Sequence, residues 1–339
     1  MAEISRRDFF KRTIASGVAA GLVLSGGEKA AEASTGSEPA GTFIDMTLCD
    51  GCKDLDVPLC VSSCRAKNRE RFPQPVQDIP NYWPQDKKED WSDKKGLTTR
   101  LTPYNWTFVQ KAKVEHNGRV QTVNMPRRCM HCTNPPCANI CPFGAQEVTK
   151  EGAVLINPET CFGGAKCRDV CPWGIPARQA GVGLYMKILP DYLGGGVMYK
   201  CDLCIDLVRA GKDPACVEAC PKGAVRFGPK SEMLAQAKGR AGEINGYVYG
   251  EKENGGTSTF YVSPVPFEKI DKALMAQKAK QPNPEAPGFP GMPVNPGNFL
   301  DTPNGIAAGI LVAPIAGIFT AGYRAFKTMK GDDADDSQV

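Results

Sequence analysis

The sequence predicts an α+β chain, rich in loops, that wraps inorganic cores and carries one membrane-crossing helix. Three observations carry that expectation. Fifteen cysteines fall in four evenly built runs. Glycine (36) and proline (28) are abundant in 339 residues, which suits loops folded around something other than side chains. Gly305–Tyr323 is uncharged throughout and long enough to cross a bilayer as a helix.

The cysteine runs read Cys49-x2-Cys52-x7-Cys60-x3-Cys64, Cys129-x2-Cys132-x4-Cys137-x3-Cys141-Pro142, Cys161-x5-Cys167-x3-Cys171-Pro172 and Cys201-x2-Cys204-x11-Cys216-x3-Cys220-Pro221. Three cysteines set close together can hold three corners of an iron–sulfur cube. A fourth, four residues on and often followed by proline, points away and ligates a neighbouring cluster. Four such runs imply a wire of four clusters in two ferredoxin-like double-cluster modules. Such a wire moves single electrons and does no bond chemistry of its own. The third run lacks one cysteine: its loop keeps the length of a C-x2-C-x2-C run, but Gly164 stands where the middle ligand belongs. A corner without a thiolate tends to lose its iron. The simplest outcome is one [3Fe-4S] cluster beside three [4Fe-4S] clusters. The alternative is a fourth [4Fe-4S] cluster whose open corner takes a water or a nearby side chain.

Other uses of cysteine fit poorly. The count is odd, the C-x2-C spacing recurs, and the chain is too long to need disulfide staples. Zinc ribbons use C-x2-C pairs but do not add a third Cys and a Cys-Pro to every run. A net charge of +4 gives no argument for nucleic acid. Only two histidines exist, His116 and His131, so haem or copper ligation has little support. His131 reads as a packing or hydrogen-bonding group beside a cluster. Arg127 and Arg128 read as solvated surface arginines, with tuning of a cluster by their charge as the rival reading.

Residues 1–33 have the pattern of a twin-arginine export signal: Arg6-Arg7-Asp8-Phe9-Phe10-Lys11, a weakly apolar stretch, then Ala31-Glu32-Ala33 as a cleavage site. The working domain is expected at 34–280, with an insertion at 65–128 that serves either as a docking surface or as a solvated shield. Within the insertion, Asn117-Gly118 between two alternating segments predicts a hairpin. Short strands are expected after the second and fourth runs, at 147–149, 153–156 and 224–227, so that residues 129–227 form an internal repeat of the ferredoxin pattern. Ser231 is the expected N-cap of a helix to Arg240, and a strand follows at 257–262. Seven prolines at 281–303 predict an extended linker rather than a packed element. It leads to the expected membrane helix, 304–324. Arg324, Lys327 and Lys330 then place the tail, 325–339, in the cytoplasm.

With these runs and strands in view, the chain resembles a known family. The four runs and the segment Tyr249-Gly250-Glu251-Lys252-Glu253-Asn254-Gly255-Gly256-Thr257 resemble the four-cluster iron–sulfur subunits of membrane-bound respiratory oxidoreductases. That family includes subunits of formate dehydrogenase-N, nitrate reductase and dimethyl sulfoxide reductase. Val265-Pro266-Phe267-Glu268 looks like the HybA type, from hydrogenase-2-like nickel–iron hydrogenases. The resemblance covers about 44–270, poorly in 65–106.

The resemblance implies that fourth cysteines are exchanged between runs. Cys49, Cys52, Cys60 and Cys220 would bind one [4Fe-4S] cluster. Cys201, Cys204, Cys216 and Cys64 would bind a second, and Cys129, Cys132, Cys137 and Cys171 a third. Cys161, Cys167 and Cys141 would bind the three-iron cluster. Gly164 departs from the HybA type but matches nitrate reductase subunits, which replace this ligand and hold a [3Fe-4S] cluster. The wide gap in the first run and Arg65 after Cys64 depart as well. The implied role is an exported, membrane-anchored electron-transfer subunit without catalytic residues of its own. Its implied partners are a periplasmic catalytic subunit, of hydrogenase or molybdopterin type, and an integral membrane quinone-reactive subunit.

Overall fold

The computed structural model describes residues 38–81, 88–188, 190–191 and 195–308. The expected leader 1–33 and tail 325–339 lie outside them, as does all but the start of the expected membrane helix 304–324. Among the described residues no helix is long and apolar enough to cross a membrane.

The fold mixes α and β. Its centre is a four-stranded sheet in the order β8-β1-β10-β9, from β1 (Ala40–Asp45), β8 (Val225–Pro229), β9 (Tyr247–Tyr249) and β10 (Thr259–Ser263). β1 runs parallel to β10, with Phe43 opposite Phe260, and antiparallel to β8, with Ile44 opposite Val225. Successive side chains on a strand face opposite sides. Phe43, Phe260 and Val262 therefore meet one helix, and Ile44, Val225 and Tyr261 enter a core shared with cysteines.

Around this sheet run short elements in chain order. Helix α1 (Leu59–Lys67) follows the first run. The hairpin β2 (Phe108–His116) and β3 (Arg119–Arg127) comes next, then α2 (Pro136–Asn139) and the hairpin β4 (Gln146–Val148) and β5 (Val154–Ile156). Helix α3 (Lys166–Asp169) precedes the hairpin β6 (Ala177–Gln179) and β7 (Val197–Tyr199), with α4 (Tyr185–Ile188) between its strands. Helices α5 (Ile205–Arg209) and α6 (Ala215–Glu218) lead to β8. Helix α7 (Lys230–Glu243) packs Met233, Ala237 and Ala241 on the sheet, and α8 (Phe267–Ala279) brings Ile270 and Leu274 into the core holding Ala112 and Val114 of the hairpin.

Three expectations need correction. Helix α7 starts at Lys230 with Pro229 as its cap residue, so Ser231 is inside it. The carboxylate of Glu38 caps from outside, accepting from Ser231 N (2.7 Å) and Oγ (2.8 Å). The insertion is no solvated lobe throughout: Trp91, Tyr104, Trp106, Ala112 and Val123 are buried. The proline-rich stretch is extended but packed. Gly288 O accepts from Leu101 N (2.9 Å), Pro290 O from Gln110 Nε2 (3.0 Å), Gly291 O from Arg127 Nη2 (2.6 Å) and Pro293 O from Tyr249 Oη (2.8 Å). An extended proline-rich strand has few N–H groups to satisfy and offers a row of carbonyls. Buried donors of the domain use that row, and Met292 is fully buried beneath it.

Candidate metal centres

None of the fifteen cysteines forms a disulfide. Local backbone explains their placement. Residues Gly51, His131, Gly163 and Leu203 all have positive φ (72°, 46°, 66° and 63°). Each stands just before the middle position of its run: Cys52, Cys132, Gly164 and Cys204. The left-handed turn curls the loop so that consecutive thiols face inward. The third run keeps this turn although its middle thiol is missing. The closing Cys-x3-Cys pairs straddle one helical turn. Cys60 and Cys64 lie on α1, while Cys137, Cys167 and Cys216 sit in α2, α3 and α6 with Cys141, Cys171 and Cys220 just beyond. Four residues of helix rise about 6 Å, enough to hand two thiols to neighbouring sites.

The thiols gather in four sets. Set I is Cys49, Cys52, Cys60 and Cys220, which line a recess with about 350 Å³ of atom-free space. Burial pushes the Cys49 thiol up to about 11, and its Cys220 and Cys52 neighbours add to this. Set II is Cys64, Cys201, Cys204 and Cys216; burial and then the other three raise Cys64 far above its ordinary value. Set III is Cys129, Cys132, Cys137 and Cys171, with Cys132 raised by burial and then by the other three. Set IV is Cys141, Cys161 and Cys167. Burial raises Cys161, with Cys141 adding, and Cys167 feels both.

The sets are linked in the order I, II, III, IV. Cys60 of set I feels Cys216 of set II, Cys201 of set II feels Cys129 of set III, and Cys167 of set IV feels Cys137 and Cys171 of set III. At one end, Cys49, Cys52 and Cys220 of set I line the recess and are partly exposed; Cys132 and Cys171 of set III and Cys141 of set IV are partly exposed too. At the other, Phe299, Leu300 and Ala308 pack on the core that holds Cys137, Cys161 and Cys167.

Polar groups around the sets are aimed at sulfur. Gly163 N and Met198 N each lie 3.4 Å from Cys161 Sγ, and Leu203 N lies 3.4 Å from Cys201 Sγ. His131 is fully buried. Its Nδ1 accepts from Val154 N (3.0 Å), which leaves the proton on Nε2, 3.6 Å from Cys201 Sγ. Burial, then Lys200 and Arg128, hold its pKa well below the usual imidazole range, so it stays neutral. The surface reading of Arg127 and Arg128 is overturned: both are buried. Position beside a cysteine run gives no burial signal in sequence, and the strand β3, which ends at Arg127, runs into the core.

The donor set fits iron–sulfur clusters. Among the described residues no three Cys, His, Asp or Glu side chains close around a single ion. The thiols are instead grouped in threes and fours by burial that opposes their charge. Thiolates so placed need cationic metal to stay deprotonated. Arg128 Nε and Nη2 are buried without a protein partner, beside set II. They await an acceptor that is not protein.

Known proteins agree with this chemistry. Residues 48–145 and 120–230 each match a family described as a 4Fe-4S dicluster domain. The chain is 29% identical over 309 residues to the hydrogenase-2 operon protein HybA of Escherichia coli O157:H7, covering 79% of this chain and 83% of that one. It is 32% identical over 227 residues to a formate dehydrogenase iron–sulfur subunit of Haemophilus influenzae, covering 65% and 63%. Over 232 residues it is 32% identical to the formate dehydrogenase-O iron–sulfur subunit of Escherichia coli K12, covering 66% of this chain and 67% of that one. With two dicluster matches and a 32% identical relative covered over two thirds of its length, the chain belongs to the family of iron–sulfur subunits with 4Fe-4S dicluster domains that includes the formate dehydrogenase-O subunit.

Proposed function

We propose that this chain is the electron-transfer subunit of a membrane-bound respiratory oxidoreductase, joining a periplasmic catalytic subunit of hydrogenase type to an integral membrane quinone-reactive subunit. The observation that carries the reading is the linked order of the four thiol sets. It starts at a partly exposed recess and ends against Phe299, Leu300 and Ala308, where the uncharged stretch 305–323 begins. Sets I, II and III each have the four thiols of a [4Fe-4S] cluster. Set IV has three, with Gly164 at the missing position, and holds a [3Fe-4S] cluster. When bound, such clusters take up and release single electrons. The chain's own residues bind them, exclude water, and direct N–H groups at the sulfurs of Cys161 and Cys201. It leaves bond chemistry to its catalytic partner.

The domain works on the periplasmic side of the cytoplasmic membrane, exported by residues 1–33 and anchored by 304–324 with the tail 325–339 inside. Changing Arg6 and Arg7 together to Lys should trap loaded protein in the cytoplasm; arrival outside at the normal level excludes this leader as the signal.

Anaerobically purified full-length protein should be brown, contain iron and sulfide, and show the near-isotropic paramagnetic signal of a [3Fe-4S] cluster when oxidised. Colourless, iron-free protein overturns the reading. A pull-down from detergent-solubilised membranes identifies the catalytic subunit. The similarity to formate dehydrogenase subunits favours one second reading, a molybdopterin-containing partner in place of a hydrogenase.

A further inference from the structure

Two buried cations stand among the interior thiol sets. Arg128 is 2% exposed and Lys200 6%. Arg128 leads directly into Cys129, yet its guanidinium turns to set II, with Nη1 3.5 Å from Cys216 Sγ. Two of its nitrogens lack any protein partner. Such a group is costly in a dry interior unless an anion accepts from it. Lys200 leads directly into Cys201. Its ammonium donates to the Val154 carbonyl on β5 and to the Cys201 carbonyl (3.2 Å). Val154 in turn donates its N–H to His131, which stands between Cys129 and Cys132 of set III and faces Cys201 of set II, so the ammonium sits between the two sets.

The outer sets have a different environment. The charges acting most strongly on Cys49 and Cys60 are other thiolates and, at Cys49, Asp50. Beside Cys161 and Cys167 the cations Arg168 and Arg178 both pair with Glu89, which offsets their charge. Asp202 also acts on Cys201 and Cys204 of set II, where it opposes the two cations, and its carboxylate is shared with Arg71.

We infer that Arg128 and Lys200 are positioning charges for electron transfer, raising the reduction potentials of the centres in sets II and III. The inference rests on the reading that these sets hold clusters. A reduced cluster carries one more negative charge than an oxidised one, and a fixed cation in a poorly screened interior favours the reduced form. With the interior stations raised in this way, an electron at either end is not stranded by a low-potential step in the middle.

The test is a paramagnetic-resonance redox titration of the purified, cluster-loaded full-length chain. Lys200→Met and Arg128→Met should each lower at least one [4Fe-4S] midpoint by about 59 mV or more, a tenfold change in a one-electron equilibrium. The three-iron signal should keep its midpoint. Lys200→Arg and Arg128→Lys should retain iron and stay nearer the wild type. Unchanged midpoints in the loaded Met variants overturn the inference. If the Met variants lose iron but the charge-keeping pair does not, Lys200→Gln and Arg128→Gln are read in the same titration, and unchanged midpoints there overturn the inference. Loss of iron from both pairs shows that shape decides, and sinks it. Absence of iron from the wild type sinks the electron-transfer reading instead, so the two failures are distinct.

Discussion

The second and third cysteine runs are two versions of one device. Each turns left-handed before its middle position, at His131 and at Gly163, makes one helical turn at α2 or α3, and passes into a two-stranded hairpin. The second run fills the middle position with Cys132. Its loop is then pinned by light contacts: Thr133 N to Gly256 O (3.0 Å), Lys230 Nζ to Thr133 Oγ1 (2.7 Å) and Asn298 Nδ2 to Asn134 O (3.1 Å). The third run has Gly164 there, and its surroundings are fastened by charge. Glu89, from the insertion, takes two hydrogen bonds from Arg168 (2.7 and 2.6 Å) and pairs with Arg178 at 2.9 Å; Arg178 in turn donates to Gly163 O (3.0 Å). A metal–thiolate bond cross-links a loop. On the proposed cluster reading one is missing at Gly164, and there the chain holds the loop with a clamp of ionic hydrogen bonds, which act over a wider range of geometries.

The comparison can be broken first at Gly196. It has φ +119°, and a Cβ there would lie 1.8 Å from Gln179 O. Gly196→Ala should cost about 3 kcal/mol or more through backbone strain and overlap. Thermal unfolding should show that loss, with the three-iron signal gone and the second-run cluster retained. A stable variant with its three-iron signal would mean that the third-run hairpin tolerates opening.

Gly164→Cys sharpens the comparison by making the runs alike. A Cβ at 164 meets nothing within 4 Å, so the change is free of overlap. One further iron per chain should bind, and the isotropic signal should give way to a reducible [4Fe-4S] signal. An unchanged signal at full occupancy would show that the new thiol does not reach the cluster.

A smaller effect is expected from Glu89→Gln, which removes the carboxylate from a partly buried ionic cluster. It should destabilise the chain by about 2 kcal/mol, the scale of hydrogen bonds to charged groups. The loss should appear in denaturant unfolding and reach the three-iron signal before the others. No change in either would mean that the clamp does not replace the missing bond. The smallest effect is at Val120, 71% exposed on the β2–β3 hairpin. Val120→Ser should stay within about 0.5 kcal/mol, which calorimetry can check, and leave both runs untouched.

What the sequence shows clearly is local. The hairpin was legible because alternation and Asn117-Gly118 specify it without help from the rest of the chain; the structure pairs Phe108–His116 with Arg119–Arg127. The cysteine loops were legible from spacing alone. Strand β1 was not, because its six residues have no partner nearby in sequence and are defined by β8 and β10. Helix α8 had readable signs, Ile270 and Leu274 four apart after Pro266, that only gain meaning against the hairpin. In the centres, Arg128 and Lys200 were hidden for a different reason. A basic residue next to a cysteine looks the same on a surface as in a core, and only tertiary structure shows which thiols it faces. The prolines of 281–303 announced extension, but not the carbonyl row that buried donors would use.

The central sheet also fixes when this protein can become itself during synthesis. Strand β1 lies between β8 and β10, and its parallel partner begins only at Thr259. Sets I and II both draw on the first and fourth runs, so Cys49 and Cys64 wait for Cys220 and Cys216 to leave the ribosome. Contacts closed over so much of the chain form late. A growing chain therefore has no finished first half to set aside. Strand β1 has no place in the sheet until the last cysteine run has been made, so assembly at the front of the protein reports on whether the back has arrived.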